Sequence, residues 1–208
     1  VRVRAGVAVQ QAASAIATGK AKTVAILYGN NGRSAGDTYG GKFDPHSPAA
    51  YDAMYGMTSP GAYVSMMYRR HQYEYGTPPH GLAALAINNR KNGALNAAAV
   101  FRKPISRDDY YASPFIAEPL RLLDYCMIND GGVCLIVTAA DMARHLKHPP
   151  VHVLASATAG SFSAHYTSRD YFYSACQAGA RDIRSQSKIT HRDVDCAQIY
   201  DNFSPKIL

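Results

Sequence analysis

The residues best suited to chemistry stand together near the end of the chain, in Ile199-Tyr200-Asp201-Asn202-Phe203-Ser204. The run Ala197-Gln198-Ile199-Tyr200 reads as a strand, which puts Tyr200 at a strand end with Asp201 directly after it. Proteins of the α/β class place much of their chemistry at such ends. A phenol beside a carboxylate suits proton transfer, but a free phenol titrates near ~10. Tyr200 would need a hydrogen bond or a nearby positive charge to act as a base. A tyrosine at a strand end also serves as ordinary packing, and position alone does not separate the two roles.

Other groups with chemical potential are weaker. His145, His148 and His152 have a spacing that invites a metal. Pro149-Pro150 breaks the helix that would align them, so they read as a helix-end histidine cluster and no metal is assigned. Cysteines stand at 126, 134, 176 and 196 with no CxxC pair. They read as free buried thiols in a reducing compartment, not as a disulfide framework or a zinc ribbon. Gly29-Asn30-Asn31-Gly32 and Gly40-Gly41 match neither a P-loop nor a dinucleotide fingerprint. The chain has 15 tyrosines and no tryptophan. Tyr51, Tyr55, Tyr63, Tyr68, Tyr73 and Tyr75 crowd one region, either as a packing layer or as the lining of a pocket for a flat or bulky apolar substrate.

The elements that must position these groups belong to a packed globular protein. Of 208 residues, 47% are hydrophobic and 18% charged, which excludes disorder and suits one large domain or somewhat more. No apolar run is long enough to span a bilayer. No secretory leader is expected, so a cytoplasmic protein is anticipated. The net charge of +7 is spread in pairs such as Arg69-Arg70, Arg90-Lys91 and Arg102-Lys103. With no basic stripe, nucleic acid is not the expected partner, whereas a phosphate-rich small molecule fits. The chain opens on Val1 with no cap before its first helix and stops soon after an apparent strand, so it reads as part of a longer protein.

Ala5–Thr18 predicts a small-residue helix stopped by Gly19, and Thr23–Tyr28 a buried strand. Gly29–Pro60 reads as a long irregular excursion. A helix follows with Ser59 as N-cap, Pro60 at N1 and Gly76 as stop. A second is predicted from Thr77-Pro78 to Asn92-Gly93, with Leu82, Leu85, Ala86 and Asn89 near one face. A shorter helix starts after Ser106. Asn129-Asp130-Gly131-Gly132 reads as a turn with positive φ at its glycines, and Val133–Val137 as a buried strand. Thr138 with Asp141 reads as a capping box. Val151–Ala155 is expected as a strand and Ser168–Ile183 as a helix, with a second capping box at Thr190 and Asp193.

Several segments in order resemble the thiolase superfamily. Ala15–Leu27 is similar to the helix and strand that follow the nucleophile turn of thiolases. His71–Thr77, Leu82–Asn92 and Phe115–Asp124 resemble the loop domain of the sterol-carrier-type members. Asn129–Gly132 matches their return to the sheet, and Tyr200-Asp201-Asn202-Phe203 falls on the motif read there as Asn-Glu-Ala-Phe or His-Asp-Cys-Phe. Two positions depart from the pattern. The register of the nucleophilic cysteine falls near Arg2, where no cysteine stands, and Tyr200 occupies the Asn or His position.

The resemblance implies a layered α/β/α thiolase-like fold, an incomplete portion of it, with a helical loop-domain insertion. Residues 1–40 would belong to the N-terminal half and 41–124 to the loop domain. Residues 125–208 would form the return and the start of the C-terminal half. A Tyr without the cysteine resembles the steroid side-chain aldolases, often labelled lipid-transfer proteins. The implied reaction is retro-aldol cleavage of a β-hydroxyacyl-CoA carrying a bulky, steroid-like acyl group. Tyr200 would be acid/base and Asp201 its support, with an oxyanion hole for the thioester enolate. Ser156 and Thr158 lie where thiolases pass the pantetheine arm. Arg69 and Arg70 are candidates for the phosphates of coenzyme A, which enters as part of the substrate, with no bound cofactor. Two alternatives stay open: an acyltransferase whose Cys lies outside this segment, and a non-catalytic acyl-CoA or lipid binder or scaffold. Relatives of this type imply a homodimer and a small zinc-ribbon/OB-fold partner protein.

Overall fold

A computed structural model describes residues 5–38, 50–78, 80–161 and 167–208. The expectations for Arg2 and Gly40-Gly41 lie outside them. The chain divides into two compact units.

The first unit comprises Val1–Gly36, Asn129–Ser163 and Arg169–Ala197. Helix α1 (Ala5–Ala17) is rich in alanine, and Gly19 closes it at φ 72, a backbone that costs glycine little. Strand β1 (Thr23–Asn31) pairs antiparallel with β4 (Asp130–Thr138), in register from Thr23↔Thr138 to Asn31↔Asp130. β-Branched and aliphatic residues fill the middle of both strands, which suits a pleated surface. The unit also holds the short α6 (Ala140–Ala143) and α7 (Tyr173–Ser187).

The ribbon corrects several expectations. Both strands present much of their apolar surface to solvent: Leu27 is 77% exposed and Val133 63%. Two strands offer each other hydrogen bonds but no covering layer, so an apolar run need not mean burial. Asp130, Gly131 and Gly132 lie inside β4, and neither glycine takes positive φ. Thr138 does not cap α6. Its hydroxyl meets Thr23 Oγ1 at 2.9 Å and donates to the Lys22 carbonyl at 3.1 Å. Ala139 takes the N-cap position with no side-chain bond, and Asp141 accepts from the Met142 N–H instead. Val151–Ala155 forms no strand, because no neighbouring strand among the described residues offers it a ladder. The helix expected from Ser168 starts only at Tyr173, after Tyr171 and Phe172 adopt φ of 52 and 66. Thr190 and Asp193 do form a capping box, on the 3₁₀ turn His191–Asp193.

The second unit comprises Asp37–Ile128, Ala164–Ser168 and Gln198–Leu208. It contains α2 (Ala50–Met54), α3 (Pro60–Tyr75), α4 (His80–Leu95), α5 (Arg107–Ala112), and the small hairpin β2 (Phe115–Ala117) with β3 (Leu120–Arg121). Helix α3 follows its sequence signals. The Ser59 hydroxyl accepts from the Ala62 N–H, Pro60 stands at N1, and Gly76 ends the helix in the left-handed region. Helix α5 carries the reciprocal Ser106–Asp109 box.

Helix α4 runs past Asn92-Gly93, which was expected to stop it. A Cβ on Gly93 would sit 2.9 Å from the Phe101 carbonyl oxygen. This glycine permits a close chain approach inside a continuing helix. The core of the unit is Val64, Tyr68, Leu82, Ala83, Ala86, Tyr110, Leu120 and Phe203. Of the crowded tyrosines only Tyr68 joins it, whereas Tyr51, Tyr55, Tyr73 and Tyr75 are exposed. The group is therefore not a single packing layer.

Candidate active site

The 199–204 segment is not the end of a strand. Residues 194–201 form no regular element, because among the described residues no strand pairs with them. The segment is instead fixed from several sides within its own unit. Phe203 is 5% exposed and forms an antiparallel bridge with Tyr125. The two rings meet edge to face, with centroids 5.0 Å apart and planes at 81°, a favoured aromatic geometry. The Cys126 N–H donates to the Asn202 carbonyl at 3.0 Å. From α4, Asn89 Nδ2 donates to Asp201 Oδ2 at 3.1 Å. The Asn202 Oδ1 acceptor is buried without a hydrogen-bond partner among the described residues. Tyr200 stands on this held backbone with 79% of its surface exposed.

Beneath the segment lies a buried carboxylate that the sequence reading did not single out. Asp124 is 2% exposed. It ends the 3₁₀ turn Leu122–Asp124. The Tyr110 hydroxyl reaches its two oxygens at 3.0 and 2.8 Å, and the Arg121 N–H donates at 2.8 Å. The Ser204 hydroxyl faces the same carboxylate. Burial pushes the Asp124 carboxyl up from the ordinary value of 3.8, against the pull of these donors and of the Arg121 guanidinium. Burial also raises the phenols of Tyr110, Tyr68 and Tyr125, and the Asp124 charge adds to each. A buried charge with this many donors is held in one place.

The residues expected to bind coenzyme A are distributed over both units. Arg69 and Arg70 belong to the same unit as Tyr200 and Asp201, and Ser156 and Thr158 to the other. Arg69 pairs with Glu118 at 3.1 Å, both side chains being more than half exposed. Arg70 pairs with Glu74 one turn on at 2.7 Å and donates to the Ser168 carbonyl at 2.5 Å. Exposed pairs of this kind contribute about 0–1 kcal/mol, so Arg69 can exchange its carboxylate for a phosphate at little cost. Ser156 exchanges two bonds with the Gln186 side chain, at 3.2 and 3.0 Å. The Thr158 hydroxyl donates to Gln10 Oε1 at 3.0 Å. Among the described residues no cluster of three His, Cys, Asp or Glu side chains could hold a metal, and His145, His148 and His152 are exposed.

The structure thus joins Asp201 to Asn89, and holds the backbone of Asn202 and Phe203 against Cys126 and Tyr125, which directly follow Asp124. The sequence carried a faint signal for Asp124, a carboxylate directly after the apolar pair Leu122-Leu123. Ser204 lies inside the 199–204 run, whereas for Asn89 the sequence carried no sign of a role at this site. Chemically, the arrangement offers an exposed phenol, an oriented carboxylate beside it and a rigid support.

No protein-family model matches the chain. Among curated proteins it is 34% identical to a steroid side-chain-cleaving aldolase of Thermomonospora curvata, over 96% of this chain and 54% of that protein. It is 35% identical to the 17-hydroxy-3-oxo-4-pregnene-20-carboxyl-CoA lyase of Mycobacterium tuberculosis, over 95% of this chain and 54% of the lyase. An acetyl-CoA acetyltransferase of Methanothermobacter thermautotrophicus is 38% identical over 76% of this chain and 41% of its own length. Among solved structures, a chain of the Ltp2-ChsH2(DUF35) aldolase superposes with a TM-score of 0.84 at 32% identity, covering 98% of this chain and 54% of that one. The chain spans about half the length of the curated relatives it matches first.

Proposed function

The chain belongs to the thiolase superfamily, in its sterol-carrier and steroid side-chain aldolase-like group, and on that footing we propose that it forms part of a carbon–carbon lyase. Its substrate is the CoA thioester of a bulky, steroid-like β-hydroxy acid. Tyr200, acting as its phenolate, takes the β-hydroxyl proton and becomes the neutral phenol. The O–H electrons form a carbonyl, the Cα–Cβ bond breaks, and the electron pair moves into the thioester enolate. A proton returned to Cα completes the reaction with no acyl-enzyme. Asp201, oriented by Asn89, supports the phenol. The observation that carries this reading is a Tyr exposed on a backbone held to a buried core at Asn202 and Phe203.

Coenzyme A enters as part of the substrate, with no further cofactor. Ser156 and Thr158 flank its pantetheine arm, and Arg69 and Arg70 meet its phosphates. Residues 41–124 act as the loop domain against the acyl group. The matching solved structure is named as an aldolase of Ltp2 with a second protein, ChsH2(DUF35). That pairing supports a partner protein for this chain; the family resemblance makes it a small zinc-ribbon/OB-fold protein and adds a homodimer.

The test is Tyr200→Phe in the full-length protein. Cleavage should fall by about 10²–10⁴-fold, the usual range for a lost acid/base group, with acyl-CoA affinity within about twofold. Full activity in the variant refutes the role. The likeness to an acetyl-CoA acetyltransferase favours acyl transfer as the second reading. The products separate the two. Retro-aldol cleavage releases a carbonyl compound and a shorter acyl-CoA without consuming free CoA, whereas acyl transfer consumes it. Binding without turnover would leave an acyl-CoA carrier.

A further inference from the structure

The proton chemistry assigned to Tyr200 needs a phenol held in one place, yet Tyr200 sits outside any helix or strand. Its position must come from its neighbours. Three attachments lead to the same buried spot. The Tyr125 backbone bridges Phe203, the Cys126 N–H holds the Asn202 carbonyl, and the Tyr125 ring packs on the Phe203 ring. All three depend on residues 125 and 126, which directly follow Asp124. Asp124 is itself locked by Tyr110 from α5 and by the Arg121 N–H. Tyr110 is 2% exposed and part of the apolar core. The chain of support therefore runs from α5 through Asp124 to Tyr125 and Cys126, and from there to Asn202, Phe203 and Tyr200.

We propose that Asp124 and Tyr110 form a positioning pair for the Tyr200–Phe203 segment, a role resting on the reading of Tyr200 given above. The pair does not touch substrate. A carboxylate suits this place because it accepts from both Tyr110 and Arg121 at once, which an apolar side chain does not do. An apolar residue would fill the space and leave the Tyr110 hydroxyl and the Arg121 N–H without partners.

The experiment compares Tyr110→Phe, Asp124→Asn, Ser204→Ala and Tyr200→Phe in the full-length protein. Hydrogen exchange is read by mass spectrometry on peptides covering 124–128 and on peptides from α3 and α4. In Tyr110→Phe, exchange at the Cys126 amide should accelerate at least about tenfold while the α3 and α4 peptides change less than about twofold. Turnover should fall about tenfold with KM within about twofold. Ser204→Ala, which leaves the core rings intact, should move both readouts in the same direction and so keeps the test decisive if Tyr110→Phe or Asp124→Asn folds poorly. Equal acceleration in all peptides, or none at 124–128, overturns the positioning role and leaves the Tyr200 reading standing. Full turnover in Tyr200→Phe sinks the catalytic reading and removes the functional part of the proposal, whatever the exchange shows.

Discussion

Asp124 is the residue at which burial and charge conflict most directly, and this makes its contribution to stability depend on pH. Its carboxyl is raised above 3.8, first by burial, and it faces Tyr110, Ser204 and the Arg121 guanidinium, with the Tyr68 and Tyr125 phenols nearby. Between the ordinary value and the raised one, the folded protein still holds a proton that the unfolded chain has released. Stability therefore falls as pH rises through that window and levels off above it. Asp109, Asp130 and Asp193 work in the opposite direction. Hydrogen bonds from Ser106, Ser34 and Thr190 hold their carboxyls below 3.8, so their stabilisation is lost as pH falls through the lowered values. Comparing wild type with Asp124→Asn isolates the first effect. The difference between their urea midpoints should shift against wild type as pH rises from 3.8 through the raised value and stay constant above it; a difference independent of pH would contradict the buried-charge account. Tyr200 and Asp201 stand out in the sequence as candidates because they adjoin in a recognisable tetrapeptide. Asn89 does not, because its partner lies 112 residues away and a lone Asn on a helix carries no mark of what it will meet.

Helix ends are legible in the sequence where capping chemistry is local. Ser59, Pro60 and Gly76 act within α3 and its flanks, and Ser106 and Asp109 within one turn. Legibility fails where a distant element competes. Thr138 had the right neighbour for a cap, but Thr23 across the ribbon claimed its hydroxyl. Gly93 looked like a stop and is instead a point of close approach to Phe101. Gly61 is a sharper case of the same kind. It sits in the first turn of α3, and an added Cβ would lie 2.5 Å from Tyr125 Cε1 and 2.7 Å from Cζ. Real contacts do not come so close, and a half-buried Tyr125 packed on Phe203 has little room to retreat. Gly61→Ala should therefore destabilise the protein by about 1–3 kcal/mol, the usual cost of overpacking, although alanine is the better helix former. Urea unfolding measures this. A gain of a few tenths of a kcal/mol would mean that Tyr125 moves aside freely.

The distribution of buried apolar surface over the whole molecule is uneven, and the sequence did not reveal it. Apolar runs such as Val24–Leu27 and Val133–Val137 look like buried strands, while the tyrosine-rich region reads as either a packing layer or a pocket lining. The structure leaves those strands exposed and concentrates burial in the helical region. The buried hydrophobic cluster belongs to the unit of α3, α4 and α5, and among the described residues of the ribbon's unit Ala12 is the hydrophobic one that reaches comparable burial. Composition fixes how much apolar surface a chain carries, but what covers it is decided by partners remote in sequence. The difference should show in local stability, because opening free energy follows the apolar contact broken on opening. Leu82 and Leu120 are buried almost completely, and Leu→Ala changes at such sites cost about 2–5 kcal/mol. No residue of β1 or β4 is buried to that degree. Under native conditions, amides of β4 such as Leu135 and Ile136 should exchange through openings that denaturant barely affects. Amides of Val64, Tyr68 and Leu82 should exchange only through openings with a large urea dependence, because those expose the core. Exchange followed over a series of sub-denaturing urea concentrations would show two separate groups of amides. If β4 and α3 merge into one isotherm at the lowest urea, the ribbon owes its stability to something other than its own buried area, and the two units unfold as one.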